Sequence, residues 1–159
     1  MKRAFFVAGA VAAGGVVLSR ALASGGQATV YSVRHSDAEW LRILGPDRYW
    51  ILREGGTEQP FSSPLNDERR TGTYACAGCA LALFDSRTKY DAGEGWPSFW
   101  NVLPRAILEQ ADYALGVPRT EVHCRRCGGH LGHVFNDGPQ PTGLRYCIDG
   151  LALNFVPRA

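Results

Sequence analysis

A chain of 159 residues has room for one ordinary domain and shows no sign of a second. Residues 1–23 carry Lys2, Arg3 and Arg20 and no acid, so only 14 of the 17 Lys+Arg lie beyond them, against 15 Asp+Glu. A domain so near neutral lacks the positive footprint that a nucleic-acid backbone requires, which sets nucleic acid aside as a partner.

The first 23 residues read as a secretory signal rather than as part of the domain. Lys2-Arg3 is a short basic head, Ala4 to Ser19 is uncharged and apolar, and Ala21-Leu22-Ala23 fits the small-x-small pattern of a cleavage site. A membrane span needs about 20 apolar residues. This run is shorter, contains glycine and is closed by Arg20, so cleavage and export, to a bacterial periplasm, are expected rather than stable insertion. Lys2-Arg3 before Phe5-Phe6 resembles a twin-arginine signal with Lys in the first arginine position, and the export route stays open.

Residues 24–35 read as a tether and residues 36–157 as the domain. Ser36-Asp37-Ala38-Glu39 is a capping box and predicts a short helix through Trp40, Leu41 and Leu44, ended by Gly45-Pro46. Tyr49 to Arg53 is a candidate strand. Gly55 to Asp67 is dense in turn residues and has no helical period, which predicts an ordered surface loop. From Thr71 the pattern is short strands between turns: Gly72–Cys76, Leu81–Phe84, Leu144–Ile148 and Leu151–Val156. Asp149-Gly150 reads as a two-residue hairpin turn between the last two, and Leu151, Leu153 and Phe155 share one side. Val102 to Glu109 reads as a short helical turn. The 19 glycines and nine prolines fit a compact β fold with tight connections.

Five cysteines divide as four plus one. Cys76-Ala77-Gly78-Cys79 and Cys124-Arg125-Arg126-Cys127 are two knuckles that can aim four thiolates at one structural Zn²⁺. Gly78 and Gly128-Gly129 allow the backbone to curl, and Arg125 and Arg126 offset the charge of four thiolates. Two disulfides, or one redox-active pair, are the competing readings for an exported protein. Neither knuckle has the Trp-C-x-x-C or βαβ setting of a redox motif.

Cys147 is the odd cysteine. A lone cysteine on a strand is by default a buried core thiol. Strand alternation, however, puts Arg145, Cys147 and Asp149 on one side and Tyr146 and Ile148 on the other. A guanidinium beside a thiol favours the nucleophilic thiolate. His130 and His133 flank Gly132 just after the second knuckle, as metal ligands, structural histidines or proton-transfer groups.

Gly56-Thr57-Glu58, Phe61 to Asn66, Tyr74 to Cys79, Gly95 to Phe99, Arg119 to Val122, His130 to Phe135, Asp137-Gly138-Pro139 and Arg145-Tyr146-Cys147 together resemble the methionine-R-sulfoxide reductase family. The resemblance implies a mainly β fold of two antiparallel sheets, with a short N-terminal helix and a structural zinc on one flank. It implies Cys147 as the nucleophile that attacks a sulfoxide sulfur and is left as sulfenic acid. Trp96 would form an aromatic wall against the substrate methyl group, Phe99 would also bind substrate, His130 and His133 would serve the sulfoxide oxygen, and Arg145 would favour the thiolate. Asp149 stands where the family usually has Asn, so it either pairs with Arg145, donates a proton as the acid, or slows the enzyme. Glu94 replaces a smaller residue. With four cysteines assigned to zinc, no resolving cysteine is left, so a thioredoxin-like or other external thiol would be the donor. The expected substrate is R-sulfoxide in oxidised proteins, and the expected state is a monomer. The rival expectation is a non-catalytic zinc module of the same fold.

Overall fold

The computed structural model describes residues 30–158, so the signal at residues 1–23 and the first part of the tether lie outside the described residues. The last part of that tether is packed on the domain: Val33 N–H donates to Arg126 O at 3.1 Å, and the Tyr31 ring lies against Gly128. Among the described residues no helix is long and apolar enough to cross a membrane.

Helix α1 spans Asp37–Glu54. Its start is the expected capping box, with Ser36 Oγ accepting from Glu39 N–H and the Glu39 carboxylate accepting from Ser36 N–H at 2.8 Å. Its end corrects the sequence reading. Gly45 adopts φ +72° and breaks the axis, but Pro46 then opens a second helical stretch, so Tyr49 to Arg53 is helix and not strand. Proline is favoured in a first helical turn because its missing N–H would have no partner there. Trp40 of the first stretch and Ile51 and Leu52 of the second are buried. Gly55, at φ +69°, closes the helix, and Gly56 N–H returns to Trp50 O at 3.0 Å.

Among the described residues nine strands follow, β1 (Gly72–Cys76), β2 (Ala82–Asp85), β3 (Lys89–Tyr90), β4 (Ser98–Phe99), β5 (Ile107–Asp112), β6 (Arg119–Cys124), β7 (His130–Phe135), β8 (Arg145–Ile148) and β9 (Leu153–Pro157). They form two antiparallel sheets, of order β2-β1-β9 and β3-β4-β8-β7-β6-β5. The sheets face each other across an aromatic core. Phe84 stacks on Phe99 at 4.4 Å between centroids, and Tyr74 meets Phe99 edge-on at 4.9 Å. Each such pair contributes about 1 kcal/mol beyond its area burial.

Two further local expectations give way to tertiary structure. Val102 to Glu109 is not a helical turn throughout: Leu103 to Ala106 make one turn, closed by Ala106 N–H on Leu103 O at 3.2 Å, and from Ile107 the chain is β5, paired along its length with β6. Asp149-Gly150 is not a hairpin turn: β8 and β9 belong to different sheets, and a 3-10 turn at Gly150–Ala152 carries the chain between them. Leu151 therefore lies in that turn, while Leu153 and Phe155 remain on the strand. The cause is a partner far away in sequence. The Glu58 carboxylate accepts from Gly150 N–H and, at 3.0 Å, from Leu151 N–H, while Ala152 and Leu153 are drawn into the core.

Candidate active site

Opposite residues of an antiparallel ladder share a face, and one rung of the larger sheet collects the chemistry. Glu121 faces His133, His133 faces Cys147, and Cys147 faces Ser98. By simple alternation His130, three residues from His133, would point the other way. A bulge prevents this. The β6–β7 register runs from Val122↔Gly132 to His123↔His130, so Leu131 is the extra residue and turns into the core. Both histidines thus reach one face, their rings 5.6 Å apart. Gly132 makes the close approach possible: at φ +144° a Cβ there would lie 2.1 Å from Cys147 O.

Around Cys147 lies a cleft of about 140 Å³, walled by Thr57, Trp96, Arg119, His133, Phe135 and Asp149. Trp96 is fixed by its indole N–H, which donates to Glu58 O at 3.1 Å. Glu58 N–H in turn donates to Asp149 Oδ1 at 2.9 Å. One buried glutamate therefore sets the tryptophan wall, the Asp149 carboxylate and the turn behind it. Burial raises the Glu58 carboxyl above the usual range, while the Gly150 and Leu151 N–H groups oppose that. The role of Glu58 is not legible in the sequence. Its only local signal is an acid in a turn-rich loop.

The histidines occupy different environments. His133 lines the cleft, and its Nε2 lies 2.9 Å from Asp112 Oδ2. Asp112 is braced by Ala114 N–H at 2.8 Å and by the Arg119 guanidinium. These donors, Ala114 foremost, hold Asp112 down to about 2, so it accepts and the proton belongs to His133 Nε2. Burial pulls His133 below the ordinary histidine value, and the Asp112 contact does not fully offset it. His130 is buried behind the cleft wall, between Glu121 on Nδ1 and Asp149, whose Oδ2 lies 3.7 Å from Nε2. Burial disfavours its charged form, but the two carboxylates outweigh that and raise it.

Of the remaining expected residues, Arg145 does not pair with Asp149. Its guanidinium forks onto Asp137 with two contacts of 2.8 Å and stacks 4.4 Å over the Phe135 ring. Phe99 does not line the cleft. It is fully buried on the core side, because on β4 it alternates with Ser98, the residue that faces Cys147. Phe135, Thr57 and Arg119 take up the wall instead.

Burial pushes the Cys147 thiol up to about 11, with Asp149 and Glu94 adding to the rise and Arg145 opposing it. Alkylation by iodoacetamide, read on the peptide that carries Cys147, is expected to keep climbing at pH ~10, where an ordinary cysteine has levelled off. Asp149→Asn should move the inflection down and Arg145→Met should move it up. A wild-type inflection near that of a free cysteine would contradict the burial argument.

The other four cysteines gather at the opposite end of β6 and β7 from Arg119 and Phe135. Their sulfurs lie within 4.8 Å of one another, with Cys76–Cys127 at 3.7 Å and Cys79–Cys124 at 3.5 Å. The two knuckles fold alike. Ala80 N–H donates to Cys76 O and Gly128 N–H to Cys124 O, each at 2.8 Å, and Ala80 and Gly128 have φ +58° and +72°. The left-handed residue thus follows each knuckle, and Gly78 is not the one that needs it. Arg126 donates to Cys79 O at 3.1 Å and Arg53 to Cys127 O at 3.0 Å.

Comparison with known proteins places this arrangement. A model of the SelR domain matches residues 44–157. A protein of Agrobacterium fabrum named peptide methionine sulfoxide reductase MsrB is 54% identical over 126 residues, covering 79% of this chain and 93% of its own length. Proteins of the same name from Leptospira interrogans and Leifsonia xyli are 51% and 53% identical, over 79% and 80% of this chain and 96% and 93% of theirs.

Proposed function

The chain belongs to the SelR-domain family, whose matched relatives are peptide methionine sulfoxide reductases, and from that premise we propose a chemical reading of the cleft around Cys147. It is a peptide-methionine (R)-S-oxide reductase, an oxidoreductase acting on oxidised methionine in proteins. The observation that carries the reading of the site is the cleft itself: one unpaired thiol, opposite a histidine with a fixed tautomer, beneath an anchored tryptophan.

In this reading Trp96 and Phe135 hold the sulfoxide methyl group, and Asp149 and His133 flank the oxygen. Cys147 Sγ attacks the sulfoxide sulfur while a proton reaches the oxygen. The oxygen then passes to the cysteine sulfur, and the methionine thioether departs. A thiol and a sulfoxide have become a sulfenic acid and a thioether, with no net proton gained or lost. A high resting thiol pKa is compatible with this balance, since the proton that leaves sulfur is the one the oxygen needs. His130, held toward its charged form, positions Asp149 and offsets its charge, the task that the sequence reading offered to Arg145. An external thiol, thioredoxin-like or small, next attacks Cys147 Sγ and releases water. A second thiol frees Cys147 and leaves as disulfide.

The four-cysteine cluster fits zinc. A tetrahedral shell with Zn–S of about 2.3 Å places sulfurs roughly 3.8 Å apart, whereas a disulfide needs about 2.05 Å. Cys76, Cys79, Cys124 and Cys127 would hold it. A filled four-sulfur shell is structural, and it would join the turn after β1 to the turn after β6, one from each sheet. The protein is proposed to work as a monomer, and export and cleavage after Ala23 complete the proposal, on the strength of residues 2–23. Fractionating a bacterium that expresses the full chain tests it: retention in the cytoplasm with Met1 intact would be against it.

The test of function is turnover of separated R and S epimers with dithiothreitol. The R epimer alone is expected to react. Turnover of S, or of neither by a folded and zinc-loaded sample, would sink the reading and favour a zinc module that binds rather than reacts.

A further inference from the structure

The cleft holds one side chain, about 140 Å³, but the substrate is a polypeptide. The residues on either side of the oxidised methionine must therefore rest on the rim, and the rim next to His133 is the tip of the β5–β6 hairpin. Asp112 and Arg119 form the last rung of that ladder. Asp112 bonds His133, and Arg119 lines the cleft, so the hairpin arrives at the reacting centre from both strands. Between them Tyr113-Ala114-Leu115-Gly116-Val117-Pro118 carries no charge. Tyr113, Leu115 and Val117 are 67%, 69% and 57% exposed, three large apolar side chains within five residues. The turn is tight, with Gly116 at φ +76° donating to Tyr113 O at 3.0 Å.

We propose that this tip docks the polypeptide around the oxidised methionine, and that it selects sulfoxides flanked by apolar residues. The proposal rests on the reductase reading above and deepens it. Continuity with the cleft decides the occupant, since a segment seated on the tip has its next side chains over Arg119 and His133. The chemistry of the damage decides its composition. Methionine is mostly buried among apolar neighbours, so a chain that exposes its sulfoxide by local unfolding exposes those neighbours with it. Apolar side chains on the tip recover for such a segment part of the burial it has lost.

The experiment compares two pentapeptides, with the R-sulfoxide at the centre and either leucines or serines on both sides, against free methionine-R-sulfoxide. The enzymes are the zinc-loaded protein, its Tyr113→Ser/Leu115→Ser/Val117→Ser variant, and Phe61→Ser. Phe61 is an exposed aromatic that lines a neighbouring cavity together with Trp96 and is bound through its N–H to Gly95 O at 2.7 Å. Wild type is expected to prefer the leucine peptide, and the triple variant to lose that preference through a KM raised about tenfold. Its turnover of free sulfoxide should be unchanged, and Phe61→Ser should keep the preference.

A triple variant that keeps the preference overturns the proposal, as does Phe61→Ser losing it in its place. So does a wild type that proves dimeric and that the triple variant splits with peptide kinetics intact, which would assign the tip to self-association and contradict the monomer proposed above. A fall on free and peptide substrates alike would show the tip serving the fold, and would overturn it too. Wild type inactive on all three substrates would instead remove the reductase reading, and this proposal with it.

Discussion

Cys147→Ser is expected to remove R-sulfoxide turnover, by on the order of 10⁴-fold or more, while zinc content and thermal midpoint stay at the wild-type level. The size follows from the chemistry. The cysteine is asked to attack a sulfur centre and then to carry the oxygen away on its own sulfur, and a hydroxyl can do neither at neutral pH. The preserved fold follows from the structure. Serine is nearly the same size, Cys147 is only partly buried, and its neighbours in the rung are polar. Wild-type protein after one turnover without reductant should instead be about 16 Da heavier on the Cys147 peptide. A chain about 2 Da lighter, with zinc released, would mean that one of the four clustered cysteines resolves the sulfenic acid, and the external-donor step would be wrong.

What could be read from the sequence divides along the range of the interactions involved. The capping box at Ser36 and Glu39 and the two knuckles are short-range patterns with their own chemistry, and both appear in place. Strand alternation correctly puts Arg145 and Cys147 on the opposite face from Tyr146 and Ile148. Where a local pattern has two outcomes, distant contacts decide. Gly45-Pro46 stops one helix and starts another, and burial of Ile51 and Leu52 selects the restart. Asp149-Gly150 would turn a hairpin if β8 and β9 shared a sheet, but the Glu58 carboxylate, over 90 residues earlier, receives the N–H groups of the turn. The pairing of His130 with His133 on one face depends on a bulge that only the β6–β7 register reveals. Arg145 lies near Asp149 in sequence but is taken by Asp137, and a linear reading cannot rank two nearby carboxylates.

Loss of the metal is expected to unfold the domain rather than merely weaken it. Cys127→Ser, or treatment with a strong chelator, should abolish far-UV β signal, R-sulfoxide turnover and zinc content together. Binding of Zn²⁺ by a structural cysteine site carries roughly 10–16 kcal/mol of apparent free energy, and a domain of this size is stable by about 5–15 kcal/mol in all. The first figure is as large as the second, so little net stability remains when the metal goes. The location of the cluster makes the loss global. Cys76 ends β1 in one sheet and Cys124 ends β6 in the other, and Trp40 of α1 packs 3.5 Å from where a side chain on Gly78 would begin. Without the clip, three elements lose their common anchor, and the ladder that sets His133 against Cys147 loses one end. A metal-free Cys127→Ser protein that keeps its thermal midpoint and its turnover would show that the two sheets hold through the aromatic core alone. The four sulfurs would then be dispensable to the fold, and their convergence would need another explanation, such as sensing oxidants through zinc release.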